Sequence, residues 1–440
     1  MGSLCTATVL AKESCLKPIV FEKEKTIGGS FGTYKVDSFL VDTGAHLLTR
    51  GKTGELPTLL RRHVSHDTFE KDFVVQEAYN FALKGKISKL PRNLPELLEF
   101  KVLSRRERLS TLRLILRFLS MGREGTQDRP SLTTYELVES DIIGEDMYYW
   151  LNAMAWMCSG SDIHHAPAPR MIDTFVRNRK LSLDYLVKHV SPEGRASEED
   201  YYPVGGAIKV PRLLIGSAGL EVRTNREVKK ICVEDGAVKG VEVENEFHPA
   251  KIVIYGGLLR NLPALVGRKN LAKEDLDTFT SLEEYYALSL WLGFDKKIES
   301  LNRESLVRIE ESTDPPKWAI FTSDFDPDLA PKGKLLVVST ILTDKPKTRQ
   351  IDQIEGAVED ALPGYERHVV MRHEQICLAE KCLPSRKRNV WTLPKQKTRI
   401  TGLYVVGTDT AGWGNGGNLC ADSAFRCLDF IRQDFPEAFT

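Results

Sequence analysis

GLYVVGTDTAGWGNGGNLCADSAFRCLDFI, residues 402–431, sets an apolar strand against a glycine turn and then a helix. Leu403 to Val406 read as a buried strand that stops at Gly407, and a loop with Gly412, Gly414, Gly416 and Gly417 follows. From about Asn418, the residues Leu419, Ser423, Arg426 and Phe430 recur at helical spacing. The first amides of such a helix are unpaired and carry the positive end of its dipole. A turn clear of bulk, with Asp409 beside it, is therefore suited to seat an anion or an electron-rich ring. A plain C-terminal helix has no need of five glycines before it.

The opening stretch, MGSLCTATVLAKESCLKPIVFEKEKTIGG, holds the other end of such a site. Leu4, Ala7, Thr8 and Ala11 lie at i, i+3, i+4 and i+7 with small residues between them, the pattern of a short helix packed closely on a sheet. After Pro18 the run Ile19, Val20, Phe21 predicts a strand whose carboxyl end carries Glu22. In a dinucleotide-binding βαβ unit, an acid about 20 residues beyond the glycine turn accepts hydrogen bonds from a ribose diol. Gly2 and Glu22 have about that spacing, but the apolar strand and the first glycines that normally precede such a helix are not in the sequence. The expectation is that a strand of some 10 residues and a glycine turn belong before Gly2, and that the chain without them binds its cofactor weakly.

Between the two ends lie further pieces. Gly28 and Gly29 allow close approach of backbone to a ligand, and Gly32 turns into the alternating Tyr34, Val36, Phe39 and Val41. Asp42, Thr43, Gly44, Ala45 and His46 make a second small-residue turn, and plain hairpin turns account for both segments equally well. Downstream, Val228, Ile231 and Val233 alternate up to a turn at Asp235 and Gly236, and Val238, Val241 and Val243 alternate after it. Ile252 to Tyr255 then read as a buried strand ending at Gly256 and Gly257 and rejoining a parallel sheet.

In this order, the segments resemble the flavin-dependent family of phytoene desaturases, protoporphyrinogen oxidases and flavin amine oxidases. VFEKEKTIGGSFGTYKVDSFLVDTGAHLL, YYPVGGAIKVPRLL, SDFDPDLAPKGKLLVVSTIL and GLYVVG with its glycine loop carry the likeness, and DPDLAPKGK points to the phytoene desaturase branch. The resemblance implies a two-domain α/β fold: a discontinuous, Rossmann-like FAD-binding domain (1–50, 205–266 and 391–440) and an α+β substrate domain with an antiparallel sheet (51–204 and 267–390). It also implies FAD as cofactor. Gly2 and Ser3 would open the first helix, Ser3 standing where the family has its third glycine. Glu22, with Lys23 beside it, would bind the adenosine ribose, Gly28 and Gly29 the pyrophosphate, and Val228 the adenine through its backbone. Ser30 stands where many relatives have an arginine. Thr43, Gly44, Ala45 and His46 would lie along the cofactor, Gly407 and Asp409 at the phosphate and ribityl region, and amides near Gly416, Gly417, Asn418 and Leu419 at the pyrimidine end. Asp409 follows Thr408 where relatives read Gly-Asp, which displaces the carboxylate by one position.

The chemistry implied is hydride transfer from an apolar substrate, isoprenoids among the candidates, to the flavin, with the electron acceptor left open. No Ser/His/Asp or paired-carboxylate arrangement is legible, as flavin oxidation leads one to expect; His46 and Trp413 are the residues placed nearest the ring. Two alternatives stand beside this reading: a flavin oxidase of amines or porphyrinogens, and a non-catalytic lipid carrier of the Rab GDP-dissociation inhibitor type. Tyr148, Tyr149, Trp150, Met154, Trp156 and Met157 suit either an apolar tunnel or a core helix. SRRERLSTLRLILRFLSMG places Arg106, Arg113 and Arg117 on one side and Leu109, Leu112, Leu116 and Leu119 on another, suited to peripheral membrane contact or to packing with a solvated basic face.

Composition narrows the rest. In 440 residues, 61 basic side chains balance 61 acidic ones, so no net charge draws the chain to nucleic acid. The cysteines are dispersed without a CxxC pair, which suits a reducing cytoplasm, and His373, Cys377 and Cys382 lack the second close pair of a metal site. No apolar run approaches the roughly 20 residues of a spanning helix.

Overall fold

The computed structural model describes residues 1–44, 48–76, 79–91, 94–176, 200–298, 305–343 and 350–439. Helix α1 (Gly2–Glu13) buries nearly its whole first two turns, Gly2 and Leu4 through Leu10. Its small side chains let it lie against both the C-terminal helix Gly416–Asp434 and the helix Lys209–Ala218. Strand β1 (Ile19–Phe21) pairs in parallel with Glu221–Arg223, and Val253–Tyr255 pairs in parallel with Leu403–Val405.

These two pairs are halves of one layer. Val20, Val222, Ile254 and Tyr404 pack into the cluster beneath α1. Their neighbours Phe21, Val253, Tyr255, Leu403 and Val405 pack into the cluster on the other face, under the antiparallel sheet of Val228–Glu234, Ala237–Val243 and Glu246–Pro249. Among the described residues β1 and Val253–Tyr255 have one partner strand each, and both remain half-buried. The Asp235–Gly236 hairpin turns through positive φ at both residues (50° and 73°), as a two-residue turn matched to strand twist requires.

A seven-stranded sheet supplies the second body of structure, in the order Val369–Glu380, Tyr285–Phe294, Leu335–Thr343, Lys317–Ile320, Leu306–Arg308, Asn80–Leu83, Lys86–Lys89. Its pairings are antiparallel except that of Leu306–Arg308 with Asn80–Leu83. Both faces are covered, so its central strands are largely apolar, with the buried Ser289 and Thr340 hydroxyls bonded to each other. Leu288, Leu290 and Leu292 face the helix Ile351–Ala361, while Trp291 faces the large helical cluster.

The packing of two helices bears on the sequence expectations. In Glu145–Ser159, Trp150 and Met154 are core, with Tyr148, Tyr149 and Met157 packed against them, so that helix is structural. In Arg105–Met121 the leucine side is buried only in part. Glu107, Ser110, Thr111, Leu114, Phe118 and Leu119 are buried, whereas Leu109 is 45% exposed. Glu107 can be buried because its carboxylate closes the capping box with Ser104 and accepts the Met147 amide at 3.0 Å. No helix among the described residues is long and apolar enough to cross a membrane.

Candidate functional site

The amino end of α1 has no side-chain cap and rests on the carboxyl ends of the parallel strands. A Cβ on Gly2 would lie 3.0 Å from the Gly407 amide nitrogen, and one on Gly256 would overlap the Ser3 hydroxyl. The sequence must therefore be small at both places. Lys381 Nζ donates to the carbonyls of Gly256 and Gly257 and stands 3.9 Å from Asp409 Oδ1. That oxygen is buried without a hydrogen-bond partner, while Oδ2 accepts the Leu259 amide at 2.8 Å. Burial raises the Asp409 pKa, and Lys381 offsets part of the rise. Thr408 turns to the side and accepts the Lys381 amide through its hydroxyl.

Glu22 closes β1. Its Oε1 accepts the Glu24 amide at 2.9 Å, and its carbonyl accepts the Arg226 amide, which brings the start of the next sheet, at Val228, to the same corner. Lys23 is exposed and pairs with Glu24. Gly28 and Gly29 both have positive φ, 105° and 58°, and Gly29 opens onto free space. The turn they begin carries Phe31 to within reach of Gly417: a Cβ there would meet Leu56 and Phe31 at 2.7 and 2.9 Å.

The Asp42–Gly44 turn is tied down by groups far away in sequence. Asp42 accepts Thr33 Oγ1 (2.5 Å), Tyr202 OH (2.6 Å) and the Ala207 amide (2.9 Å). Gln375, on the long strand Val369–Glu380, accepts the Gly44 amide at 3.1 Å and Trp291 Nε1 at 3.0 Å, and donates to the Asp42 carbonyl at 2.8 Å and to Tyr34 OH at 2.5 Å. Ala45 and His46 lie outside the described residues.

The glycine loop is clamped by the helix Ala168–Val176 and by the end of Val369–Glu380. Asp173 accepts the Gly414 amide at 2.8 Å and Glu380 the Gly416 amide at 2.5 Å, while Arg170 Nη1 donates to the Gly414 carbonyl at 2.6 Å. Asp173 also receives Arg50 Nη2 and Arg123 Nε, both at 2.5 Å, and Glu380 pairs with Arg170 at 2.9 Å. Burial works against the Asp173 carboxylate, but the two guanidinium groups overcome it and hold its pKa at about 2. Arg50 sits at φ 76°, a left-handed conformation that a non-glycine residue keeps only when its surroundings enforce it. Trp413 is buried in the same group, edge-on to Trp391 at 5.3 Å and 5.2 Å from the Arg123 guanidinium.

The geometry thus joins Gly2 and Ser3 to Gly407 and Asp409, Glu22 to Val228, and Gly28 and Gly29 through Phe31 to Gly417. It leaves Lys23 apart. It also differs from expectation at Asn418 and Leu419, whose amides both turn back to the Asn415 carbonyl, while the Asn418 side chain ties down Leu56 and Thr49. Gln375, Lys381, Asp173 and Glu380 went unnoticed in the sequence because each acts across more than a hundred residues or within an unremarkable segment.

A family model described as flavin containing amine oxidoreductase matches residues 4–426, and the chain belongs to that family. FAD is the family's cofactor, and the chain is an FAD-dependent oxidoreductase. No curated protein matches the sequence. Three solved structures share the fold. An oxidoreductase from Methanosarcina mazei is 19% identical, with a TM-score of 0.71 over 98% of each chain. Cyclohexylamine oxidase from Brevibacterium oxydans is 11% identical, with a TM-score of 0.67 over 98% of this chain and 97% of its own. A CLA-producing fatty acid isomerase from P. acnes is 14% identical, with a TM-score of 0.66 over 99% and 96%. The residues fit FAD: the uncapped α1 amides, the cradle at Gly2 and Gly407 that a Cβ would fill, the open Gly29 and the orphaned Asp409 oxygen suit a dinucleotide laid from Glu22 toward the glycine loop.

Proposed function

We propose that this member of the flavin-containing amine oxidoreductases oxidises or isomerises an apolar substrate, in the manner of the phytoene desaturase branch. When bound, FAD takes up the hydride that the substrate loses. The observation that carries the choice of substrate is the state of the polar groups around the Asp42 turn and the glycine loop. Asp42, Tyr202, Gln375, Asp173 and Glu380 all spend hydrogen bonds on backbone or on protein side chains, the two clamping carboxylates on arginines, so they bind no polar substrate group without breaking a protein contact. What they do instead is fix the walls of the site and keep them dry.

An amine oxidase needs an aromatic cage beside the flavin, and Tyr148 and Trp413 are the aromatic residues considered for it. Among the described residues their rings have separate partners, Tyr149 and His164 for the one and Trp391 for the other, which favours the apolar reading. Leu98 and Leu109 are exposed, as are Arg105, Arg106 and Arg113, which supports peripheral contact with a membrane surface where apolar substrates dissolve.

The test is anaerobic mixing of the yellow holoprotein with polyenes, amines and porphyrinogens in turn. Bleaching of the flavin bands by a polyene alone, or conversion of a polyene to an isomer with the bands intact, is the expected result. Bleaching by a primary amine, with polyenes inert, would assign the chain to the oxidase alternative.

A further inference from the structure

The first turn of the C-terminal helix has few amides left to offer. Glu380 takes Gly416 N–H, Asn418 and Leu419 N–H return to the Asn415 carbonyl, and Asp173 takes Gly414 N–H just before the helix. Among the described residues the Gly417 N–H is the donor in that turn with no partner. Both carboxylates are buried, Asp173 fully and Glu380 at 3% exposure, and both reach the loop from elements remote in sequence. Each is charge-balanced: Asp173 by Arg50 and Arg123, which also share Glu55, and Glu380 by Arg170.

We propose that Asp173 and Glu380 are positioning residues that set how far this chain stabilises negative charge at the pyrimidine edge of its flavin. The inference deepens the flavin reading and rests on it. By capturing the Gly414 and Gly416 amides, the two carboxylates aim the loop so that one free amide, that of Gly417, is available to the ring edge. By cancelling Arg50, Arg123 and Arg170, they also deny that edge a net positive field. Charge near this edge governs the flavin's electronics, so the arrangement suits a ring that takes up a hydride and readily gives it back, as a redox-neutral isomerisation requires.

Sulfite reports this field without any substrate. Its sulfur lone pair bonds to the ring, the displaced electron pair settles at the pyrimidine edge, and nothing else is consumed. Glu380→Gln keeps an oxygen for the Gly416 amide but leaves Arg170 uncompensated, and Asp173→Asn keeps one for the Gly414 amide but leaves Arg50 and Arg123 with Glu55 alone, one positive charge in excess. The holoprotein is expected to bind sulfite weakly. Either variant should bind it at least tenfold more tightly and show a raised flavin midpoint potential, whereas Glu380→Asp, which restores the charge, should return toward wild type. A merely structural role would lower flavin occupancy without tightening sulfite binding in the flavin that remains. If both variants hold FAD and bind sulfite as the wild type does, the inference is overturned and the flavin reading stands. If no form holds FAD, both are overturned.

Discussion

Gln375→Leu removes a side chain that no local pattern marks and that the Asp42 turn depends on. The glutamine is 7% exposed and makes four hydrogen bonds to parts of the chain more than 80 residues away. Leucine fills nearly the same volume, so packing is conserved and the polar loss is isolated. Three buried groups lose a hydrogen bond: the Gly44 amide, Trp291 Nε1 and the Asp42 carbonyl. Tyr34 OH is partly exposed and still has His373 Nε2 at 2.8 Å, so it loses little. At about 1–3 kcal/mol for each buried hydrogen bond lost, the total is roughly 3–9 kcal/mol, of which the added apolar burial returns about 1. Even the lower end is a large part of the ~5–15 kcal/mol that holds a domain folded. Gln375→Glu keeps both acceptor contacts and recovers the donor to Asp42 only when protonated, so its deficit shrinks as the pH falls. Urea denaturation followed by far-UV circular dichroism measures the loss, and hydrogen exchange at Gly44 locates it. A Gln375→Leu protein within about 1 kcal/mol of wild type, with Gly44 still protected, would refute the tether.

Four further outcomes are expected. Glu22→Ala should lower FAD affinity roughly ten- to a hundredfold while leaving the fold intact, since a charged acceptor's hydrogen bonds are worth about 1.5–3 kcal/mol; unchanged flavin retention through gel filtration removes Glu22 from the site. Gly417→Val should lose both flavin and stability because its side chain meets Leu56 and Phe31; a variant that keeps the wild-type melting temperature and flavin content would place the loop elsewhere. Asp173 has a depressed pKa, about 2 against an ordinary 3.8, so its stabilisation of roughly 2 kcal/mol is present above pH ~4 and lost as the pH falls through ~2. The stability gap between wild type and Asp173→Asn should narrow over that window, and a constant gap would deny the ion pairs their role. Finally, Gly2→Ala should lower the melting temperature and the FAD content, since a Cβ there lies 3.0 Å from the Gly407 amide nitrogen; wild-type values for both would deny the close packing of α1 on Gly407.

What was legible in the sequence was local. The β1 strand, the Asp235–Gly236 hairpin, the two parallel strands before Gly256 and Gly407, and the close packing of α1 all follow from short-range periodicity and glycine placement. In the helix Arg105–Met121, counting leucines finds an apolar stripe but misses that Glu107 and Ser110 are also buried, through hydrogen bonds to other elements that periodicity does not encode. The same limit hid the clamp on the glycine loop. Asp173 and Gly414 are 241 positions apart, and only the fold brings the carboxylate to the amide. The sequence showed that the helix start was clear of bulk, but not that two carboxylates already held its amides.

The central claim is that the elements around Glu22, α1 and the glycine loop hold FAD, and reconstitution tests it most directly. The purified chain is incubated with excess FAD, freed of unbound cofactor by gel filtration, and its flavin is released and measured against protein, with Glu22→Ala alongside. The account predicts retention approaching one FAD per chain, reduced in the variant by its weaker affinity. A wild-type chain that emerges colourless, or one that retains FAD equally with and without Glu22, would contradict it.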